Sequence, residues 1–172
     1  MSEDVTTDRN QYLTFTLEDE LFALDIFSVR EVLEFTSITR VPRTPEYMRG
    51  IINVRGNAVP VIDLNMKFGR TRTSQTISTA IIIVEVELEG ESTIIGALAD
   101  SVQEVFELKE DQIDPPPKMG TSIRTDFIRG MGKHGDGFIM LLDIDKIFSS
   151  EELSTLQSVA CGQRPSEAIM AE

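Results

Sequence analysis

Tyr47-Met-Arg-Gly-Ile-Ile-Asn-Val-Arg-Gly-Asn-Ala-Val-Pro-Val-Ile-Asp-Leu64 recurs, 80 residues on, as Phe127-Ile-Arg-Gly-Met-Gly-Lys-His-Gly-Asp-Gly-Phe-Ile-Met-Leu-Leu-Asp-Ile144. The match runs without a gap for 22 residues and carries Phe68 onto Phe148. Upstream, Ser28-Val-Arg-Glu-Val-Leu-Glu-Phe35 recurs as Ser101-Val-Gln-Glu-Val-Phe-Glu-Leu108, and Leu17-Glu-Asp-Glu20 as Leu88-Glu-Gly-Glu91. Four matches in one order describe an internal duplication. The offset grows from 73 to 80 between Phe35 and Tyr47, so the second copy carries about seven extra residues, in the loop with Pro115-Pro116-Pro117. Such a proline run reads as a stiff extended linker. Repeat one spans about 11–70 and repeat two about 78–150. Each alone is marginal in size, so the two are expected to share a hydrophobic seam, with terminal strands free to exchange.

Outward from the duplication the chain reads as mainly β. Leu13, Phe15 and Leu17 alternate along Tyr12–Leu17, and Glu18-Asp-Glu20 is a polar turn before Leu21–Asp25. Ile81–Val86 and Thr93–Ala99 flank Glu89-Gly90-Glu91 in the same way. The helical candidates are short: Phe27–Glu31, Leu64–Phe68 and Asp143–Ser149. Short strands at this spacing predict small barrels or a sandwich. Residues 1–10 and 151–172 lack periodicity and read as loose ends.

The chain has 172 residues, 29 acidic against 16 basic, and a net charge of −13. Such an acid excess excludes nucleic acid and direct membrane insertion as natural expectations. Cys161 is the only cysteine, and the N-terminus has no signal-like apolar run, so a cytoplasmic protein is expected.

Most apparent chemistry dissolves on reading. Gly130-Met-Gly-Lys-His-Gly135 spells a dinucleotide fingerprint, but a strand-like run, Phe138–Leu142, follows where a helix is required. It reads as a hairpin tip. His134 is the only histidine and sits in that turn, which rules out a zinc site of protein nitrogens and sulfurs. Glu31 and Glu104 are repeat mates, as are Asp63 and Asp143. They are open to two readings: an acid–base pair, or rim charges and helix caps. Arg55 beside Gly56 has two roles open, a bidentate carboxylate contact for a partner or a structural bond to local carbonyls. No catalytic residue, metal ligand or cofactor is expected, and the protein reads as a non-enzyme.

Arg49–Leu64, with Phe22-Ala-Leu-Asp-Ile26, Val29-Arg-Glu-Val-Leu33, Ala99-Asp-Ser-Val102 and Phe127-Ile-Arg-Gly130, resembles the signature of the CheW-like domain, over about Gln11 to Phe148. The resemblance implies two intertwined five-stranded SH3-like barrels. It also implies an adaptor that joins methyl-accepting chemotaxis receptors to the regulatory domain of a CheA-type histidine kinase, recruited to membrane receptor arrays. An alternative is a paralogue serving pilus motility or development. The length points to a free-standing domain rather than part of a larger kinase or receiver fusion. On this resemblance the receptor's hairpin tip docks in a groove walled by Val29, Glu31 and Val32 on one side and Val102 and Val105 on the other. Arg55 matches an arginine tied to coupling, and Gly50, with Ile51 and Ile52, falls at the kinase-contacting barrel end. Val29 and Val32, three apart, would share a face if that segment were helical.

Overall fold

A computed structural model of the chain describes residues 11–88, 90–115, 125–135 and 137–162. Eleven strands follow in order: β1 Gln11–Leu17, β2 Glu20–Asp25, β3 Val29–Glu34, β4 Met48–Val54, β5 Asn57–Asp63, β6 Ala80–Leu88, β7 Glu91–Ala99, β8 Ser101–Glu107, β9 Ile113–Asp114, β10 Ile128–His134 and β11 Gly137–Leu142. They form two curled sheets, β8-β1-β2-β11-β10-β9 and β3-β6-β7-β5-β4. These are the two SH3-like subdomains that the resemblance implied, except that the first sheet has a sixth strand, the two-residue β9, beyond the five expected.

Each sheet takes its leading hairpin from the other repeat. β1–β2, from repeat one, pairs with β8 and, in parallel, with β11. β6–β7, from repeat two, pairs with β3 and, in parallel, with β5. A whole hairpin is exchanged, reciprocally, where the sequence suggested a terminal strand. The exchange buries both faces of the donated strands. Leu13, Phe15 and Leu17 of β1 and Ile82, Val84 and Val86 of β6 meet in one shared cluster. On the opposite faces, Tyr12 packs in the core of the first sheet, and Ile81 and Ile83 pack in the core of the second. This explains why β6 reads as an unbroken apolar run rather than an alternation.

The fingerprint-like glycine segment is an antiparallel hairpin, with His134 opposite Gly137. Asp63 and Asp143 cap the short helices α1 (Leu64–Lys67) and α2 (Ile144–Ile147), accepting from the amides of Asn65 and Asp145. The helical expectation at Phe27–Glu31 is corrected: only a 3₁₀ turn, Ile26–Ser28, forms before β3 begins at Val29. Val29, Val32 and Leu33 are β-formers and find β6 as a partner.

The loose tail from residue 151 is also corrected. Ser150–Gly162 is a helix, α3, and Leu153 and Leu156 are buried in the shared cluster. Its start is a capping box: the Ser149 amide donates to Glu152, and the Glu152 amide to the Ser149 hydroxyl. Residues 1–10, 116–124 and 163–172, which include most of the triple proline and the last ten residues, lie outside the described residues. Among the described residues no helix is long and apolar enough to cross a membrane.

Candidate functional site

β3 and β8 are repeat mates, and each lies at an outer edge of its sheet. Each is also bulged. On β3, Val29 faces Val84 and Val32 faces Ile82, so two residues, Arg30 and Glu31, share the place opposite Ile83. On β8, Val102 faces Phe15 and Val105 faces Leu13, with Gln103 and Glu104 opposite Thr14. A bulge shifts side-chain parity by one residue. Valines three apart therefore fall on one face of a strand. Val29 and Val32 do share a face, through the bulge and not through a helix.

Both valine pairs stand over the same shared cluster, which contains their four cross-strand partners. Val29 and Val102 pack against it, while Val32 and Val105 remain 41% and 48% exposed. Four apolar side chains on two edge strands thus rim the seam between the subdomains. Sequence reading missed Phe27, 64% exposed in the turn just before Val29. The duplication held a signal for it, because its mate is Asp100.

Glu31 and Arg55 do not belong to that apolar wall. The register sets Glu31 on the Ile83 face, opposite in direction to Val32. There Arg55 grips it with both nitrogens, at 2.5 and 2.8 Å. The Arg55 hydrogen bond holds the Glu31 carboxyl below the usual glutamate range, and the same bond raises the guanidinium. Arg30, delivered to this face by the bulge, pairs with Glu85 at 2.8 Å. The two ion pairs rim a cavity of about 510 Å³ at the end of the second barrel, floored by Val54, Val59, Ile83 and Ile94.

Arg55 occupies a costly backbone position. Val54 pairs with Asn57, leaving Arg55-Gly56 as a two-residue turn with φ of +51° and +89°. Such turns favour asparagine or glycine at both places. Neither of its two open roles is the contact seen: Arg55 bonds an internal carboxylate, Glu31, and not local carbonyls. Glu31 turns to the Ile83 face, where Arg55 holds it, and so faces away from the seam that β3 shares with β8, the strand of Glu104.

The expected kinase-contacting residues are mostly interior. Gly50 is buried, with φ +145°, and any Cβ would run into the Thr39 carbonyl and the Ile38 side chain. Ile52 is buried in the core of the second barrel, and Ile51 is half-buried against the shared cluster. Thr39 and Ile51 exchange two backbone hydrogen bonds, at 2.9 and 2.8 Å. The absence of a side chain at Gly50 lets this segment close on β4.

The CheW-like domain model matches residues 11–152. The chain belongs to the CheW-like domain family. It is 34% identical to the chemotaxis protein CheW of Klebsiella aerogenes over 150 residues, covering 87% of this chain and 88% of that protein. It is 29% identical to the chemotaxis protein CheW of Treponema pallidum over 155 residues, with 90% and 91% covered. A crystal structure of the scaffolding protein TtCheW from Thermoanaerobacter tengcongensis superposes with a TM-score of 0.73 at 39% identity, covering 84% of this chain and 95% of that one.

Proposed function

We propose that the protein is a non-enzymatic chemotaxis adaptor that couples methyl-accepting receptors to a CheA-type histidine kinase, working in the cytoplasm and recruited to receptor arrays. The observation that carries this reading is the pair of matched bulges, which turn Val29, Val32, Val102 and Val105 onto one seam. An apolar groove rimmed by charge suits an amphipathic helical hairpin. Family membership and the character of the relatives, a chemotaxis protein and a scaffolding protein, support the same role. Glu31 and Arg55, clasped on the opposite face of β3, stand apart from this groove and mark a second contact surface at the end of the second barrel. The kinase meets the barrel end whose shape Gly50 maintains, through exposed neighbours of Gly50 and Ile52.

Calorimetry of the full chain against the kinase regulatory region and against a receptor hairpin tip tests the reading. Binding to both is expected. Val32→Glu with Val105→Glu should abolish receptor binding and spare kinase binding. A folded chain that binds neither partner overturns the proposal.

A further inference from the structure

Eight arginines lie among the described residues, and five of them have a carboxylate. Arg30 pairs with Glu85, Arg49 with Asp63, Arg55 with Glu31, Arg70 with Glu20 and Arg129 with Asp25. The three without one, among those residues, are Arg40, Arg43 and Arg72. In a chain with 29 acidic residues this is not a shortage of partners. Two of them share one place. Arg40 and Arg72 line a hollow of about 240 Å³, with Thr44, Glu46, Arg49 and Met66 among its other walls, and Arg43 sits on the same loop.

The backbone that carries them is fixed from several sides. Thr39, next to Arg40, is pinned to Ile51 by two hydrogen bonds. The Thr44 hydroxyl donates to the Val41 carbonyl at 3.0 Å, and the Met48 amide to the Pro45 carbonyl at 3.0 Å. Arg43 holds a left-handed φ of +63° between two prolines, Pro42 and Pro45. On the other wall, Thr73 is buried and donates to Asp63 through its amide at 2.9 Å and its hydroxyl at 2.7 Å, which sets the position of Arg72. Arg49 is already neutralised by Asp63 at 3.0 Å. The fold thus sets two exposed arginines without carboxylate partners on one hollow, a placement that suits an anion. A guanidinium fork matches a carboxylate in two hydrogen bonds. The hollow has room for a side-chain head group, not for a folded surface. Glu46 on its wall disfavours a small dianion and leaves a singly charged carboxylate the better match.

We propose that this hollow seats an aspartate or glutamate side chain from an acidic segment of a protein partner. The assignment stands on the hollow itself and does not rest on the receptor and kinase roles above.

The test is an amide NMR titration of the full chain with acetyl-tetraglutamate-amide and, separately, with inorganic phosphate at matched ionic strength. The peptide should shift the amides of Arg40, Thr44 and Arg72, and added salt should weaken the effect. Arg40→Gln with Arg72→Gln should lower the affinity by about tenfold or more, the loss of one charge-assisted hydrogen bond. The charge-matched control Lys109→Gln with Lys133→Gln should not. If the double arginine variant is misfolded, each single variant is titrated instead, with a partial loss expected. Absence of shifts at these amides, or shifts unchanged in the arginine variants, overturns the proposal. Phosphate binding tighter than the peptide also overturns it, in favour of a free anion.

Discussion

Arg55 and Gly135 hold equivalent places in the two repeats, each at a hairpin tip and each left-handed, with φ of +51° and +59°. Repeat two meets this geometry with glycine, which tolerates it. Repeat one meets it with arginine, which does not, and gains the clasp on Glu31. The same divergence appears at the bulges. Gln103 and Glu104 sit over Thr14, whose hydroxyl donates to the Glu104 carbonyl at 2.6 Å, and the bulge is closed. Arg30 and Glu31 sit over Ile83, both charges are paired, and a cavity lies beneath. Duplication copied the backbone; among the described residues, repeat one's bulge is the one whose charges are joined in ion pairs.

The largest test of that asymmetry lies at Gly50 and Gly130, which occupy matched bulges. Gly50→Ala meets both a left-handed φ and the Thr39 carbonyl, whereas a Cβ at Gly130 meets Ile113 at 2.6 Å and the Asp114 carbonyl at 2.8 Å without the positive φ. Denaturant unfolding should show a loss of about 4 kcal/mol or more for Gly50→Ala and a clearly smaller loss for Gly130→Ala. Equal losses would mean the two bulges are energetically interchangeable.

Next come the paired aspartates. Asp63 is fully buried, caps α1 and pairs with Arg49, while Asp143 is a partly exposed cap whose nearest cation, Lys146, stands 3.9 Å away. Asp63→Ala should cost about 3 kcal/mol, because it strands a half-buried guanidinium. Asp143→Ala should cost about 1 kcal/mol, the value of a cap. Chemical denaturation of the two variants gives the comparison directly.

A smaller effect separates Tyr47 from its mate Phe127. Both rings face Lys67 Nζ, at 5.0 and 5.8 Å, but only Tyr47 donates a hydroxyl to Glu152, at 3.2 Å. Burial raises the Glu152 carboxyl, yet the Ser149 amide, Lys67 and Tyr47 outweigh it and leave it below the usual range. Burial, with the nearby Glu152 charge, pushes the Tyr47 phenol up to about 12. A depressed carboxyl stabilises the fold above its unfolded value, and that contribution fades as pH falls through the folded value. The advantage of the wild type over Glu152→Gln should therefore be about 1 kcal/mol at neutral pH and vanish in acid, read from Tm against pH. A gap independent of pH would assign the effect to packing.

The smallest stability change is expected at Arg55 itself. Arg55→Gly recreates the repeat-two tip, so Tm should hold or rise slightly while the grip on Glu31 disappears. A clear fall in Tm would show that the exposed pair is structural.

Much of this was legible because duplication leaves a pattern that survives without coordinates. The hairpin hidden in Gly130–Gly135 followed from residue type and spacing alone, and caps at Asp63 and Asp143 were one of the two readings their pairing left open. Other features were not legible. The weakly patterned residues after Ser149 form α3 because Leu153 and Leu156 find a waiting apolar seam, which local periodicity does not record. For Val29 and Val32 the spacing of three suggested a shared face only on a helix, whereas the bulge of β3 supplies it on a strand. Gly50, Ile51 and Ile52 looked like contact residues and proved largely interior.

By itself, the sequence determined the β class, the twofold repetition, the turn residues and the acid excess. These rest on local propensity and on composition, which each residue carries with it. Tertiary structure alone decided the hairpin exchange, the seam, the parity of the bulged strands and the gathering of Arg40 and Arg72 around one hollow. Each depends on which strand pairs with which, and that choice is made by burying both faces of β1 and β6 at once, a gain that no single segment can register.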